Sequence, residues 1–399
     1  MYTPDEFILK KYADVLIKFA LWNGEGIRTG DVVLLNLPES SKAFLIPLQQ
    51  SVLEAGGNPI INYQAEDISR AFFDNATDEQ IAFSPKEYLL SRVAAIDHSV
   101  SIISTNNKFE LKGVPSEKIM KAQRSMKYYM DARQGKEHAG KLTWTLALFG
   151  TEAMAAEANM DLKEYWNQII QACYLDKPDP VAEWKQVFTQ INTIQQSLNK
   201  LEVESLHIEG SDIDLHVRVG KNRKWLGGNG RNIPSFELFI TPDWRGAEGR
   251  VSFNQPLYRY GNLIKDVHLE FKDGIITHAT ASENQQLLLD MISVEGANKI
   301  GEFSLTDRRL SRITKFMAET LFDENIGGPF GNTHIAVGMG YKDSYTGDAS
   351  SLTEKQWEEM GFNDSAIHTD IVSTTDRTVT ATLSDGGKKV IYKNGEFTV

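Results

Sequence analysis

Four carboxylates and two histidines in the second half of this chain have the types and settings to hold divalent cations. They are Glu237 in SFELFIT, Glu302 in IGEFSL, Glu324 in TLFDEN, His334 in THIAVGMGY, and His368 with Asp370 in NDSAIHTD. Hard and borderline cations take carboxylate oxygen and imidazole nitrogen. Two such ions sharing a bridging ligand need about this set. H-x-D in a strand points both side chains to one face, so two ligands converge from a rigid element.

Each residue also has a plainer role. A glutamate in a strand usually faces water. DEN at a helix end can be a capping turn, and a histidine at a strand start is more often structural than a ligand. What sets the six apart is their joint occurrence, in otherwise apolar settings, within one half of the chain. The remaining histidines carry less. His207, His216, His268 and His278 lie in strands of alternating polarity and read as solvated or edge-facing, and His98 and His138 lack ligand spacing. There is no G-x-S-x-G elbow for a serine triad, no G-x-G-x-x-G and no G-x-x-x-x-G-K-[ST].

The elements that must position these residues fall into two styles. Up to about residue 200, helix and strand signals alternate. Asp5 to Trp22 is a helix, Asp31 to Leu37 a buried strand, Ser41 to Ala55 a helix capped by Gly56-Gly57, Pro59 to Tyr63 a strand, and Ala94 to Thr105 continues the pattern. Helix, glycine, then short apolar strand is the grammar of a parallel sheet. Thr151 to Tyr174 and Val181 to Leu201 read as closing helices. From residue 201 to 399 β signals dominate, with Asp273-Gly274 and Asn394-Gly395 as hairpin turns and helices expected at about Ser282 to Glu295 and Asp307 to Leu321. The expected fold is an open α/β domain over 1–200, then a mixed, largely antiparallel α+β domain over 201–399 that carries the metal site.

Composition narrows the partners. The chain has 399 residues, 41% hydrophobic and 24% charged, with 42 Lys and Arg against 54 Asp and Glu, a net charge of −12. An acidic chain without a basic run is a poor nucleic-acid binder, and acidity draws cations toward a carboxylate-lined cleft. The single cysteine, Cys173, excludes an internal disulfide and multi-thiolate zinc sites. In NQIIQACYLDKPDP it reads as a buried structural residue. No stretch is apolar enough to span a membrane, and the N-terminus lacks the order of a signal peptide. A reducing cytoplasm fits these features.

The motifs in this order resemble one family, the M29 aminopeptidases, also called the aminopeptidase T family. N-x-P-x-x-E fits at Asn232, Pro234 and Glu237; the Gly-Glu step at Gly301-Glu302; D-E-N at Asp323 to Asn325; H-x-A-x-G at His334, Ala336 and Gly338, followed by Tyr341; and N-x-S-x-x-H-x-D at Asn363, Ser365, His368 and Asp370. The resemblance spans nearly the whole chain and is strongest after about Leu206. It implies a homodimeric aminopeptidase acting on peptides, with two divalent ions (zinc, cobalt, manganese or magnesium) held by Glu237, Glu302, Glu324, His334, His368 and Asp370. Tyr341 and Glu302 are the implied catalytic residues, the tyrosine as a donor to the developing oxyanion. Which carboxylate is general base stays open. Two other readings stand beside it, a non-catalytic metal-stabilised binding protein and a different dinuclear hydrolase such as a phosphoesterase.

Overall fold

The computed structural model describes residues 2–259 and 262–399. The chain divides into two compact units, Met1–Lys185 with Asn229–Ile233, and Gln186–Gly228 with Pro234–Val399.

The first unit is built on an all-parallel sheet. Its strands are β1 (Val32–Pro38), β2 (Asn58–Gln64), β3 (His98–Ile103), β4 (Thr143–Leu148) and the short β7 (Asn232–Ile233), in the order β2-β1-β3-β4-β7. Asp5 caps the first helix, Glu6–Val15, by accepting from the Ile8 N–H, which satisfies one of the free donors of a helix start. The helix Lys42–Glu54 crosses from β1 to β2 and stops at Gly56, whose φ of 82° suits a left-handed cap. Tyr12 and Phe44 stack at 5.1 Å in the core, and Cys173 is fully buried there with its thiol pushed up to about 12 by burial. The expected helix from Thr151 to Tyr174 is two helices, Glu152–Glu157 and Leu162–Ala172. Asn159 takes a left-handed φ of 54° between them, and Asp161 caps the second.

The second unit carries two antiparallel sheets. Strands β5 (Val203–Gly210), β6 (Ile213–Arg218), β9 (Glu248–Ser252), β12 (His268–Lys272), β13 (Ile275–Thr280), β17 (Arg377–Leu383), β18 (Lys388–Lys393) and β19 (Glu396–Phe397) form the larger one, ordered β13-β12-β9-β6-β5-β17-β18-β19. Strand β6 alternates strictly, with Ile213, Leu215 and Val217 buried and Asp214, His216 and Arg218 exposed, so one of its faces packs and the other meets water. The smaller sheet, ordered β16-β15-β14-β8, contains β8 (Glu237–Ile240), β14 (Ile300–Thr306), β15 (Asn332–Gly338) and β16 (His368–Ser373). Here β14 and β15 are buried at every position. Strands β10 (Leu257–Arg259) and β11 (Asn262–Ile264) form a separate antiparallel pair.

One expected helix in this unit is absent. Between Asp307 and Leu321 only Thr320–Asp323 is α-helical. The backbone donors there are taken by side chains instead. Asp307 accepts from the Arg309 N–H and guanidinium, and Asp323 accepts from the N–H groups of Met317 and Glu319. Carboxylates that capture local N–H groups compete with helix formation, and Ala318 sits at a φ of 50°.

Candidate metal centre

Register on the smaller sheet brings the expected ligands together. Glu237 on β8 lies opposite Thr306 of β14, Ser304 of β14 opposite His334 of β15, and Glu302 opposite Ala336, which in turn faces Asp370 of β16. His368 is two residues before Asp370 and opposite Gly338. Alternation with period two therefore turns Glu237, Glu302, His334, His368 and Asp370 to one side of the sheet.

Two glycines make this register possible. The β14–β15 ladder shifts between Ile300 and Glu302, and a Cβ on Gly301 would collide with the carbonyl oxygens of Gly338 and Met339. Gly338 itself has a φ of 103°, and a Cβ there would collide with the Ile367 carbonyl. The Gly-Glu step is thus a bulge that re-aims Glu302, a common use of bulges beside functional sites.

The His334 imidazole is the hub. Its Nε2 lies 3.1 Å from Glu302 Oε1, 3.2 Å from Glu237 Oε2 and 3.9 Å from Asp370 Oδ1. His368 Nε2 lies 3.4 Å from Asp370 Oδ1 and 4.0 Å from Glu302 Oε2. Both rings are pinned from behind, since Nδ1 of His334 donates to the Glu324 carbonyl at 3.2 Å and Nδ1 of His368 to the Met339 carbonyl at 2.7 Å. A carbonyl can only accept, so each Nδ1 carries hydrogen and each Nε2 is presented to the carboxylates. Metal-ligating histidines are held in this way.

Glu237, Glu302 and His334 each offer a ligand atom within 4.8 Å of the others, all three buried. Glu324 follows the short helix Thr320–Asp323; its side chain accepts from Asn325 Nδ2 at 3.3 Å, and the charges of Glu237 and Asp370 act on it. Tyr341 keeps 39% of its surface exposed, with its ring 4.7 Å from the His368 ring. The structure thus places all seven sequence-predicted residues in one neighbourhood.

The electrostatics are those of crowded negative charge. Burial, opposed by the His334 hydrogen bond and helped by Glu237, raises Glu302 to about 7. Burial, then Glu237 and Asp370, raises Glu324 well above the carboxylate range. Burial pushes His334 down, but hydrogen bonds to Glu237 and Glu302 and the charge of Asp370 overcome it, and the net shift is strongly upward. His368 behaves alike, rising to about 9 against burial because of Asp370 and Glu302. Asp370 falls to about 2 despite burial, owing to His368, His334 and Arg259. The Tyr341 phenol is raised by burial and by four surrounding carboxylates, so it stays protonated.

Most of the supporting residues lie outside the sequence motifs. Ser304 Oγ donates to Glu237 Oε2 at 3.0 Å, and Asn332 Nδ2 donates to the Glu324 carbonyl at 2.8 Å. Asn325 Oδ1 takes the Phe236 N–H at 2.6 Å, and Thr241 Oγ1 takes the Tyr341 N–H at 2.9 Å. Arg259 bonds the His368 carbonyl at 3.3 Å, so one cation does stand beside the acidic set. Asn325 lay in plain view inside DEN; serine, threonine and a lone arginine gave no such signal.

Residues 5–397 match the family described as thermophilic metalloprotease, M29. The chain belongs to the M29 family. Among related M29 proteins, aminopeptidase PepS of Streptococcus thermophilus is 28% identical, with 98% of both chains covered. Aminopeptidase T of Thermus thermophilus is 24% identical over 98% of this chain and 99% of its own. The solved structure of wild-type AmpT from Thermus thermophilus superposes with a TM-score of 0.83 at 22% identity, over 98% of this chain and 99% of that one, which establishes the fold. M29 membership makes the chain a metallopeptidase, and among the described residues no helix is long and apolar enough to cross a membrane.

Proposed function

We propose that the chain is a metal-dependent aminopeptidase that removes N-terminal residues from peptides at a centre for two divalent ions, held by Glu237, Glu302, Glu324, His334, His368 and Asp370. The observation that carries this is the buried sheet face on which carboxylates converge on two imidazoles fixed through Nδ1. Charge balance supports the number of ions. Four carboxylates carry −4, and neutral imidazoles add nothing, so two divalent ions bring the sum to zero. Without ions the site keeps its charge down by holding protons, which is the meaning of the raised pKa values of Glu302, Glu324, His334 and His368. A donor set of carboxylate oxygens with two imidazole nitrogens suits zinc, cobalt or manganese better than magnesium, which prefers all-oxygen shells.

When bound, two divalent ions supply an activated water at neutral pH, a polarised scissile carbonyl and a partner for the free amine. The chain's own residues do the rest. Ser304 and the two backbone carbonyls hold Glu237, His334 and His368 in place. A Glu302 oxygen left free of the ions can accept a proton from the attacking water and return it to the leaving amine. The Tyr341 hydroxyl, kept protonated by burial and then by the surrounding carboxylates, donates to the oxygen on which negative charge develops.

A homodimer in the cytoplasm is part of the same proposal. Closed two-fold assembly is the commonest oligomeric arrangement, and edge strand β2 exposes Ile60, Ile61 and Tyr63, a surface that association would cover. Chromogenic aminoacyl, N-blocked aminoacyl and phosphate-ester substrates, each with and without chelator, test the activity. Chelator-sensitive release from the free aminoacyl substrates alone supports an aminopeptidase. Turnover of the phosphate ester instead, or of nothing, removes it.

A further inference from the structure

Four histidines outside the peptidase centre gather on the open face of the eight-stranded sheet. His207 of β5 lies directly opposite His216 of β6, and Glu209 opposite Asp214. The two imidazoles stack with centroids 3.9 Å apart and planes 9° from parallel. His207 Nε2 is 2.8 Å from Asp214 Oδ1, and its Nδ1 is 3.4 Å from Glu209 Oε2. Further along, His268 pairs with Ser252 Oγ at 2.9 Å and Glu270 at 3.3 Å. Among the described residues, only His207, Asp214 and His216 match the buried centre in offering three ligand atoms within 4.8 Å.

We propose that His207, His216 and Asp214 form a second site, open to solvent, for a divalent transition metal of the zinc and copper class. Both imidazoles rise from the two ends of one rung of the ladder, so their spacing is set by sheet register rather than by a loop. Two imidazoles and one carboxylate are three protein ligands, which leaves a position open to water. Imidazole donors select zinc, copper or nickel over calcium and magnesium. Around an ion with bonds of about 2.0–2.1 Å, ligand atoms stand roughly 3.3 Å apart, so the 2.8 Å His207 Nε2–Asp214 Oδ1 hydrogen bond must open to admit the ion while the His216 ring closes in. Asp214 and His216 are exposed and His207 partly so, so small side-chain rotations are enough. Glu209 and Glu248, the latter opposite His216 on β9, add negative charge around the ion, while Arg250, opposite Asp214, opposes it.

Equilibrium dialysis of chelator-stripped protein against Zn²⁺ reads this site directly. The H207Q/H216Q double variant should bind one fewer zinc per chain than the parent, with peptidase activity and melting temperature unchanged. Asp214→Asn should weaken that one ion by roughly tenfold or more. Untagged parent should also be retained on immobilised Ni²⁺, which cannot enter the buried centre, and the double variant should elute earlier. Equal zinc counts, or identical elution of parent and double variant, would overturn the site.

Discussion

Two clusters of histidine and carboxylate sit on different sheets of the same unit, and they differ in what surrounds them. Around His334 the partners are buried, with His334 at 1% and Glu302 at 3% exposure. Around His207 the partners reach water, with the Asp214 side chain 64% exposed. The donor types are nearly the same, yet the consequences diverge. In the buried cluster Glu302 rises to about 7, His368 rises to about 9 and Asp370 falls to about 2. In the exposed cluster the His207 hydrogen bond lowers Asp214. Charges out of water interact several times more strongly than charges in it. Burial is therefore what couples the groups of the His334 cluster to one another far more strongly than those of the His207 cluster.

The largest expected effect lies in the buried cluster. Glu302→Ala and Asp370→Ala should each lower kcat/KM by roughly a thousandfold or more, with circular dichroism showing an intact fold. Near-normal turnover in either variant removes that residue from the centre. Tyr341→Phe keeps the ring that packs near His368 and Phe239 and deletes only the hydroxyl. Turnover should drop by about a hundredfold if that hydroxyl meets the oxyanion, while metal content holds. Unchanged turnover makes the tyrosine a packing residue.

A smaller effect concerns pH. In ion-free protein His368 titrates near 9 rather than 6.5, and Glu302 near 7 rather than 4.5. Each raised pKa means that the native state holds its proton more tightly than the unfolded chain does. The resulting stabilisation is complete below the ordinary value and disappears as pH climbs through the raised one. Asp370 acts oppositely, since its contribution is present above 3.8 and lost toward 2. Stability of the chelated protein should accordingly decline from about pH 4.5 to 9 on account of Glu302 and His368, whereas bound ions, which need deprotonated ligands, should offset the decline. Melting curves of chelated and loaded protein check this, because the gap between them should be wider at pH 9 than at pH 6.5. The smallest effect belongs to the exposed cluster, where His216→Gln should shift stability by no more than about 0.5 kcal/mol and leave peptidase rates alone. A large loss of either would mean that the two clusters are less separate than their burial implies.

Much of this was legible from residue order, for identifiable reasons. The six proposed ligands, which the fold brings together, stood in short motifs, and Gly301 and Gly338 marked places where only a bare backbone fits. The turns at Asp273-Gly274 and Asn394-Gly395 have positive φ at both residues, as such pairs favour. What stayed hidden depended on register or on competition for backbone groups. His207 and His216 are nine residues apart in sequence (216 − 207) and meet only because β5 and β6 pair at that rung. The apolar spacing after Asp307 suggested a helix, but Asp307 and Asp323 took the N–H groups that a helix would have used. Helices such as Lys86–Ala95 and Lys127–His138 escaped notice because they carry few apolar residues on a narrow buried face, with Leu89 and Val93 meeting Tyr129.

The most direct test of the account counts ions and activity on the same sample. Protein stripped by chelator is titrated with Zn²⁺ or Co²⁺ while bound metal and aminoacyl hydrolysis are both measured, using the H207Q/H216Q background to remove the exposed cluster. The account predicts no hydrolysis in stripped protein and full recovery when two ions are bound per chain. Full activity that survives stripping, or a chain that takes up no metal at all, would contradict it.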